Sequence, residues 1–598
     1  MGLPLQRLPL GATVRPEGGT TFRVWSPYCN DVELHIVGPG DRRIPLRRTD
    51  DGYHETLTDA TPGTRYFYVL DDGSERPDPA SRLQPDGVHG PSEGVGREFE
   101  WHDDGWQGIA LEDYVLYELH VGTFTAEGTF DAVIPRLDAL KDLGITAVEL
   151  MPIAQFPGHR NWGYDGVCIG AVQNTYGGPA GLVRLVDACH RRGLALILDV
   201  VYNHLGPEGN YLSRFGPYFT DRYQTPWGPA LNFDGPSSDH VRWFFIHNAL
   251  QWVDEFHIDG LRVDAVHAII DHSARPFLEE LTAAVRERAS RLGRQVVTFA
   301  ESNLNDPRVI TSMEHLGLGF DSQWSDDFHH SLHALLTGER AGYYEDFGRV
   351  SDLARTLSSG YLFTGQYSTY RGRRHGRAPN TKDGARFVVS AQNHDQVGNR
   401  ILGERLSTLL TDDKLRLAAA ALVLSPFIPL LFMGEEYGET APFQYFTSHS
   451  DPDLIDAVRR GRREEFASFA WQGEAPDPHS EETFQRSKLD WSLLDRGQHA
   501  SLRLLYRDLL RLRREIPALR TLDLARLESH TEDERGLLLI RRWTEVDEVL
   551  IAFNFSEREQ TVAIPFGDGG WRPLIETEAS LKGGLLTLPA EAFALFYG

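Results

Sequence analysis

Cysteine is scarce: Cys29, Cys168 and Cys189 are the only three in 598 residues. An odd, widely spaced set builds no disulfide framework, and no CxxC or Cys/His spacing suited to zinc occurs. Three ordinary buried thiols in a reducing compartment are expected. Long apolar runs are missing too. No stretch approaches the ~18 residues of a membrane span. The start, MGLPLQRLPLGATV, has no apolar core for a signal peptide, and Gln6 breaks the myristoylation pattern. Positive charge is in short supply, with 60 Lys+Arg against 86 Asp+Glu and a formal net charge of −26. That balance argues against nucleic acid or an anionic membrane as partner and leaves neutral ligands open. These absences together predict a cytoplasmic protein.

What is present divides the chain in three. Residues 1–105 carry short branched and aromatic runs (TTFRVWSP, VELHIVG, TRYFYVL) separated by Gly, Pro and Asp, which predicts an N-terminal immunoglobulin-like β-sandwich. A linker-like zone, SRLQPDGVHGPSEGVG, occupies 81–96. From about 106 to 520, strand-like runs alternate with helical ones. The runs span 114–121, 145–153, 194–204, 258–266, 295–302, 320–328, 386–395 and 428–436. Phe130, Val133, Ile134, Leu137 and Leu140 recur at helical spacing, as do Leu182, Leu185, Val186 and Cys189. Eight strand–helix units predict an α/β fold, a closed (β/α)8 TIM-type barrel. Insertions at about 154–180 and 205–238 are long enough to be functional loops. SLRLLYRDLLRLRREIPAL (501–519) reads as the closing helix, and 521–598 as a C-terminal all-β domain, a small sandwich.

Several runs end in polar clusters: ELH, DVVYNH, RVDAVH, AES, QNHD. In a barrel those ends converge on the face where active sites lie. In GLRVDAVH (260–267), Arg262 and Asp264 share one strand face while Val263 takes the other. A guanidinium favours a neighbouring ionised carboxylate, which suits a nucleophile or cation stabiliser as well as a structural ion pair. VVTFAES delivers Glu301 at an apolar strand's end; a carboxyl in apolar surroundings keeps its proton longer, as a general acid requires. QNHDQ brings His394 and Asp395. A third carboxylate beside an acid favours the protonated form and can accept hydrogen bonds from sugar hydroxyls. DVVYNH brings Asn203 and His204. Two carboxyls of opposite protonation are what glycosidic cleavage requires.

DVVYNH, GLRVDAVH, FAES and QNHD resemble, in order and spacing, the four signature segments of the α-amylase family of glycoside hydrolases. The resemblance implies Asp264 as nucleophile, Glu301 as general acid/base and Asp395 as transition-state stabiliser, with Tyr164 (in NWGYD), His204, Arg262 and His394 around the reacting sugar. It also implies retention, with the Asp264 and Glu301 carboxyls roughly 5 Å apart. Within that family, ELHVGTFTAEGTF, MPIAQFPGHRNWGYDGV, WGPALNFDG, AESNLNDPR, QWSDDFHH, QNHDQVGNR and the segment FMGEEYGETAPFQYF to RREEF are similar to the maltooligosyltrehalose trehalohydrolases. That finer resemblance implies hydrolysis of the α-1,4 bond joining a maltooligosaccharide to a terminal trehalose, with a maltooligosyltrehalose synthase upstream as pathway partner. Asn303, Asp306, Trp324, Asp326 and Phe328 are candidates for holding the trehalose side, with a core role for Trp324 or Phe328 equally open. Many family members hold calcium through the Asn of the DVVYNH-type segment. The carboxylate-rich partner loop such a site needs is missing here, so neither metal nor cofactor is expected. Two rivals stay open: a glucan branching enzyme, which passes the glycosyl group to a sugar, and a non-catalytic glycan-binding homologue.

Overall fold

The structure, a computed structural model, describes residues 8–96, 99–466, 475–567, 570–575 and 578–598. Gln6 and the first half of the stretch inspected for a leader therefore lie outside the described residues. Eight parallel strands close a barrel: β1 (Leu116–Leu119), β2 (Ala147–Leu150), β3 (Ala195–Val200), β4 (Gly260–Val263), β5 (Val297–Glu301), β6 (Ser322–Trp324), β7 (Phe387–Ser390) and β8 (Ile428–Phe432). Each falls inside one of the eight predicted runs. β1 to β4, β7 and β8 are buried along their whole length, because helices cover the outside and side chains fill the inside. Gly260 in β4 is required by close packing: a Cβ there would lie 2.8 Å from the Val297 carbonyl oxygen on β5.

The helical pattern between β1 and β2 forms, but in pieces. Phe130–Val133 and Leu137–Leu143 flank a 3-10 turn, Ile134–Arg136, where Pro135 supplies no N–H. Gly178–His190 carries the second pattern, with Leu182, Leu185, Val186 and Cys189 all buried. The closing helix ends earlier than predicted, as Gly497–Glu515. Ile516 is extended (φ −96°, ψ 116°) because Pro517 follows it, and Pro517–Arg520 forms a separate short turn. All three cysteines are free and buried.

On the N-terminal side, one four-stranded and one five-stranded antiparallel sheet face each other, their strands lying within 11–93. Phe22, Val24, Leu34 and Ile36 occupy alternate, inward positions. The zone 81–96 is not a free linker. Arg82 grips Glu255 with two bonds, at 2.7 and 2.9 Å, and so fastens this stretch to the helix Ser238–Glu255. A five-stranded and a three-stranded antiparallel sheet form the C-terminal end. Among the described residues no helix is long and apolar enough to cross a membrane.

Candidate active site

The charges of GLRVDAVH meet at the barrel's C-terminal end. Arg262 is wholly buried (0% exposed). Its Nη1 donates to Asp199 Oδ2 at 2.7 Å and to Asp264 Oδ1 at 2.8 Å, and its Nη2 lies 3.2 Å from Glu301 Oε2. One guanidinium fork therefore holds carboxyls from the ends of β3, β4 and β5, which bounds the Asp264–Glu301 separation at roughly 8 Å. Without its negative partners a buried guanidinium would cost several kcal/mol, so the carboxylates are as necessary to Arg262 as it is to them. Trp324 lies beneath, its ring centroid 4.4 Å from the Arg262 guanidinium carbon.

The chain turns sharply after Asp264. Ala265 adopts a left-handed conformation (φ 39°), a strain that non-glycine residues accept mainly at functional sites. The turn presents the Ala265 N–H to Glu301 Oε2 at 2.7 Å. Glu301 therefore rests on a guanidinium and a backbone donor, not in the apolar surroundings expected from VVTFAES. Asn203 donates to Asp264 Oδ2 at 2.6 Å and to its carbonyl at 3.0 Å. The Asn203 amide oxygen meets His204 Nδ1. Both ends of this amide thus make hydrogen bonds within the site.

His394 and Asp395 begin a short helix, His394–Gly398, capped by Asn393. The Tyr164 hydroxyl lies 2.7 Å from both Asp199 Oδ2 and His394 Nε2. His204 Nε2 bonds the Tyr164 carbonyl at 3.0 Å, and its ring stacks on the exposed indole of Trp227 at 4.4 Å. Burial lowers the pKa of His204. Asp395 is exposed at the mouth and accepts from Asn399 at 2.7 Å. Surrounding protein raises its pKa, with His394 opposing and Glu301 adding to the shift. Asp326 is pushed up to about 8 by burial and then by the charges of Glu301 and Asp395.

The seven residues expected around the reacting sugar are thus brought together. Those proposed for the trehalose side are not all suited to it. Phe328 is fully buried (0%), on the core side of the helix Asp326–Thr337. Trp324 is 4% exposed and lies under Arg262. Neither offers a face to a ligand. Asp326 starts the same helix and faces Glu301 and Asp395. Asn303 is exposed, its carbonyl accepting from His375 at 2.9 Å; Asp306 is clasped by Arg308 at 2.6 Å. Sequence reading missed Asp199 and Glu118. Both sit in polar clusters it noted, DVVYNH and ELH, but a charge inside an apolar strand was the only signal. It also missed Trp227, on the hairpin formed by Phe219–Thr225 and Gly228–Leu231.

Three family models match: Alpha amylase, catalytic domain, over 96–249; Carbohydrate-binding module 48 (Isoamylase N-terminal domain) over 9–83; and Domain of unknown function (DUF3459) over 526–595. The chain is 51% identical to a malto-oligosyltrehalose trehalohydrolase of Saccharolobus solfataricus, across 83% of this chain and 86% of the relative. A crystal structure of a provisional alpha amylase from Salmonella typhimurium superposes with a TM-score of 0.90 at 38% identity, covering 98% of this chain and 99% of the other. A 1,4-alpha-glucan branching enzyme of Xanthomonas oryzae pv. oryzae is 26% identical, across 95% of this chain and 76% of its own length. With a barrel, a flanking module and a carboxyl cluster of this kind, the chain belongs to the malto-oligosyltrehalose trehalohydrolases of the α-amylase family.

Proposed function

We propose that this chain is a retaining glycoside hydrolase that cuts the α-1,4 bond next to the terminal trehalose of maltooligosyltrehalose, releasing trehalose and a maltooligosaccharide. The observation that carries the reading is the single Arg262 fork shared by Asp264 and Glu301, with Asp395 beside it. Glu301 passes a proton to the glycosidic oxygen as the Asp264 carboxylate attacks the anomeric carbon. The C–O bond breaks, trehalose leaves through its O4, and the maltooligosaccharide is joined to Asp264. Water then attacks that carbon, Glu301 takes the water's proton, and Asp264 is freed. Asp395 stabilises the oxocarbenium-like transition states. Tyr164, His204, Arg262 and His394 surround the sugar, and Asn303, Asp306 and Asp326 remain candidates for the trehalose side. Asp326, facing the acid, is the best supported of these.

Trehalose joins its two glucoses α,α-1,1, so the leaving group has no reducing end and a bend absent from starch. An upstream enzyme must therefore build that terminus, which supports pairing with a synthase. A cytoplasmic setting accords with three free thiols and an acidic composition. We divide the chain at about residues 105 and 520. Product analysis tests the function: free trehalose from maltotriosyltrehalose supports it, whereas new α-1,6 branches in amylose would replace it with glycosyl transfer.

A further inference from the structure

Glu118, on β1, is 1% exposed. It holds His394 twice. Its Oε2 accepts the His394 backbone N–H at 2.9 Å, and its Oε1 meets ring Nδ1. The other ring nitrogen, Nε2, lies 2.7 Å from the Tyr164 hydroxyl. That hydroxyl has one proton and gives it to Asp199 Oδ2, an oxygen that also accepts from Arg262. With the Tyr164 proton on Asp199, Nε2 faces Tyr164 as a donor and Nδ1 faces Glu118 as another, the bonding pattern an imidazolium makes.

The surroundings leave this charge to Glu118. Trp162, Tyr164 and Trp324 pack around the ring. Asp395, the next residue, and Arg262, on β4, act on it in opposite directions. Asp199 bears on it through Tyr164 and through its own charge; burial raises the Asp199 pKa to about 7, with Arg262 and His394 opposing. His120, at the end of β1, is held neutral by burial, its pKa lowered to about 4. Glu149, on β2, is in register with Glu118; burial, then the Glu118 charge, raises its pKa well above the ordinary range, so it adds no charge near neutral pH. Burial alone would lower the His394 pKa, but the Glu118 charge and hydrogen bond outweigh it and the net shift is upward.

We propose that Glu118 is a positioning residue: untouched by substrate, it fixes the orientation and the charge of His394, and so the strength of the donor that His394 offers the reacting sugar. The proposal rests on the site reading above, in which His394 meets the sugar. The test uses the full-length enzyme labelled with 15N-histidine, without substrate, the His394 resonances being assigned by their loss in His394→Gln. In Glu118→Gln the ring should lose its charge at a pH lower by about one unit or more, the scale of a removed neighbouring charge. Trehalose release should slow by about tenfold or more in kcat with little change in KM, as expected for a charge-assisted contact. In a His394→Gln background, Glu118→Gln should cost nothing further. Glu118→Asp, which keeps the charge and shortens the reach, should preserve the titration and lose rate; it carries the test if Glu118→Gln does not fold. An unmoved titration in Glu118→Gln, additive losses in the double variant, or an unimpaired Glu118→Asp would each overturn the proposal. The titration needs no substrate, so failure to release trehalose would sink the functional reading, whereas an unmoved titration would sink the Glu118–His394 coupling by itself.

Discussion

Asn203 donates its side-chain N–H to the carboxylate of Asp264 at 2.6 Å, from the end of one barrel strand to the end of the next. The bond fixes the rotation of the carboxylate and occupies one oxygen, while Arg262 occupies the other. Hydrogen bonds to charged groups are worth about 1.5–3 kcal/mol, so Asn203→Ala should lower kcat/KM by about 10–100-fold. Initial rates of trehalose release measure this; a loss below threefold would remove Asn203 from the machinery.

Arg262 serves Asp199, Asp264 and Glu301 at once. Lysine is a point charge and cannot reproduce the fork. Arg262→Lys should reduce activity by more than about a hundredfold and destabilise the fold by about 3–5 kcal/mol, the scale of a broken buried ion pair. Denaturant unfolding and initial rates report the two effects separately. An intact, active variant would show that the fork is dispensable.

Glu301→Gln keeps shape and removes the transferable proton. Hydrolysis should fall by several orders of magnitude while calorimetry still detects binding of maltooligosyltrehalose. Stereochemistry gives an independent check. Retention means that the new reducing end begins as the α-anomer in early proton NMR spectra, and initial β-anomer would exclude a covalent Asp264 intermediate.

At the end of β8, Glu435 and Glu436 are buried, and burial pushes their pKa values up to about 8 and about 7. Tyr506 donates to Glu435 at 2.9 Å and Tyr117 to Glu436 at 3.1 Å. The folded chain thus keeps these protons to higher pH than the unfolded chain does. Between the ordinary glutamate range and pH 8 the unfolded state binds fewer protons, so stability falls as pH rises. The wild-type melting temperature should drop more between pH 6 and pH 9 than that of Glu435→Gln, by about 2 °C or more. Equal slopes in thermal scans at the two pH values would contradict this.

The strands were legible because each is an apolar run bounded by polar loops, and the three carboxyls because each ends such a run. Helix ends were less legible where proline intervenes, as at Pro135 and Pro517. The sequence left Phe328 open between cleft and core because an aromatic residue beside polar ones reads alike in either place; its burial on the helix Asp326–Thr337 puts it in the core. Glu118 and Asp199 were passed over for a related reason. A charge within an apolar strand gains meaning only when its partner is known, and their partners, His394 and Arg262, lie 276 and 63 positions away along the chain.

The contact between Glu301 and the Ala265 N–H ties the ends of two neighbouring barrel strands together through the main chain. Every amino acid except proline carries that N–H, so among single exchanges at position 265 proline alone deletes the donor. The carboxyl is thus held by a group that most side-chain changes leave in place.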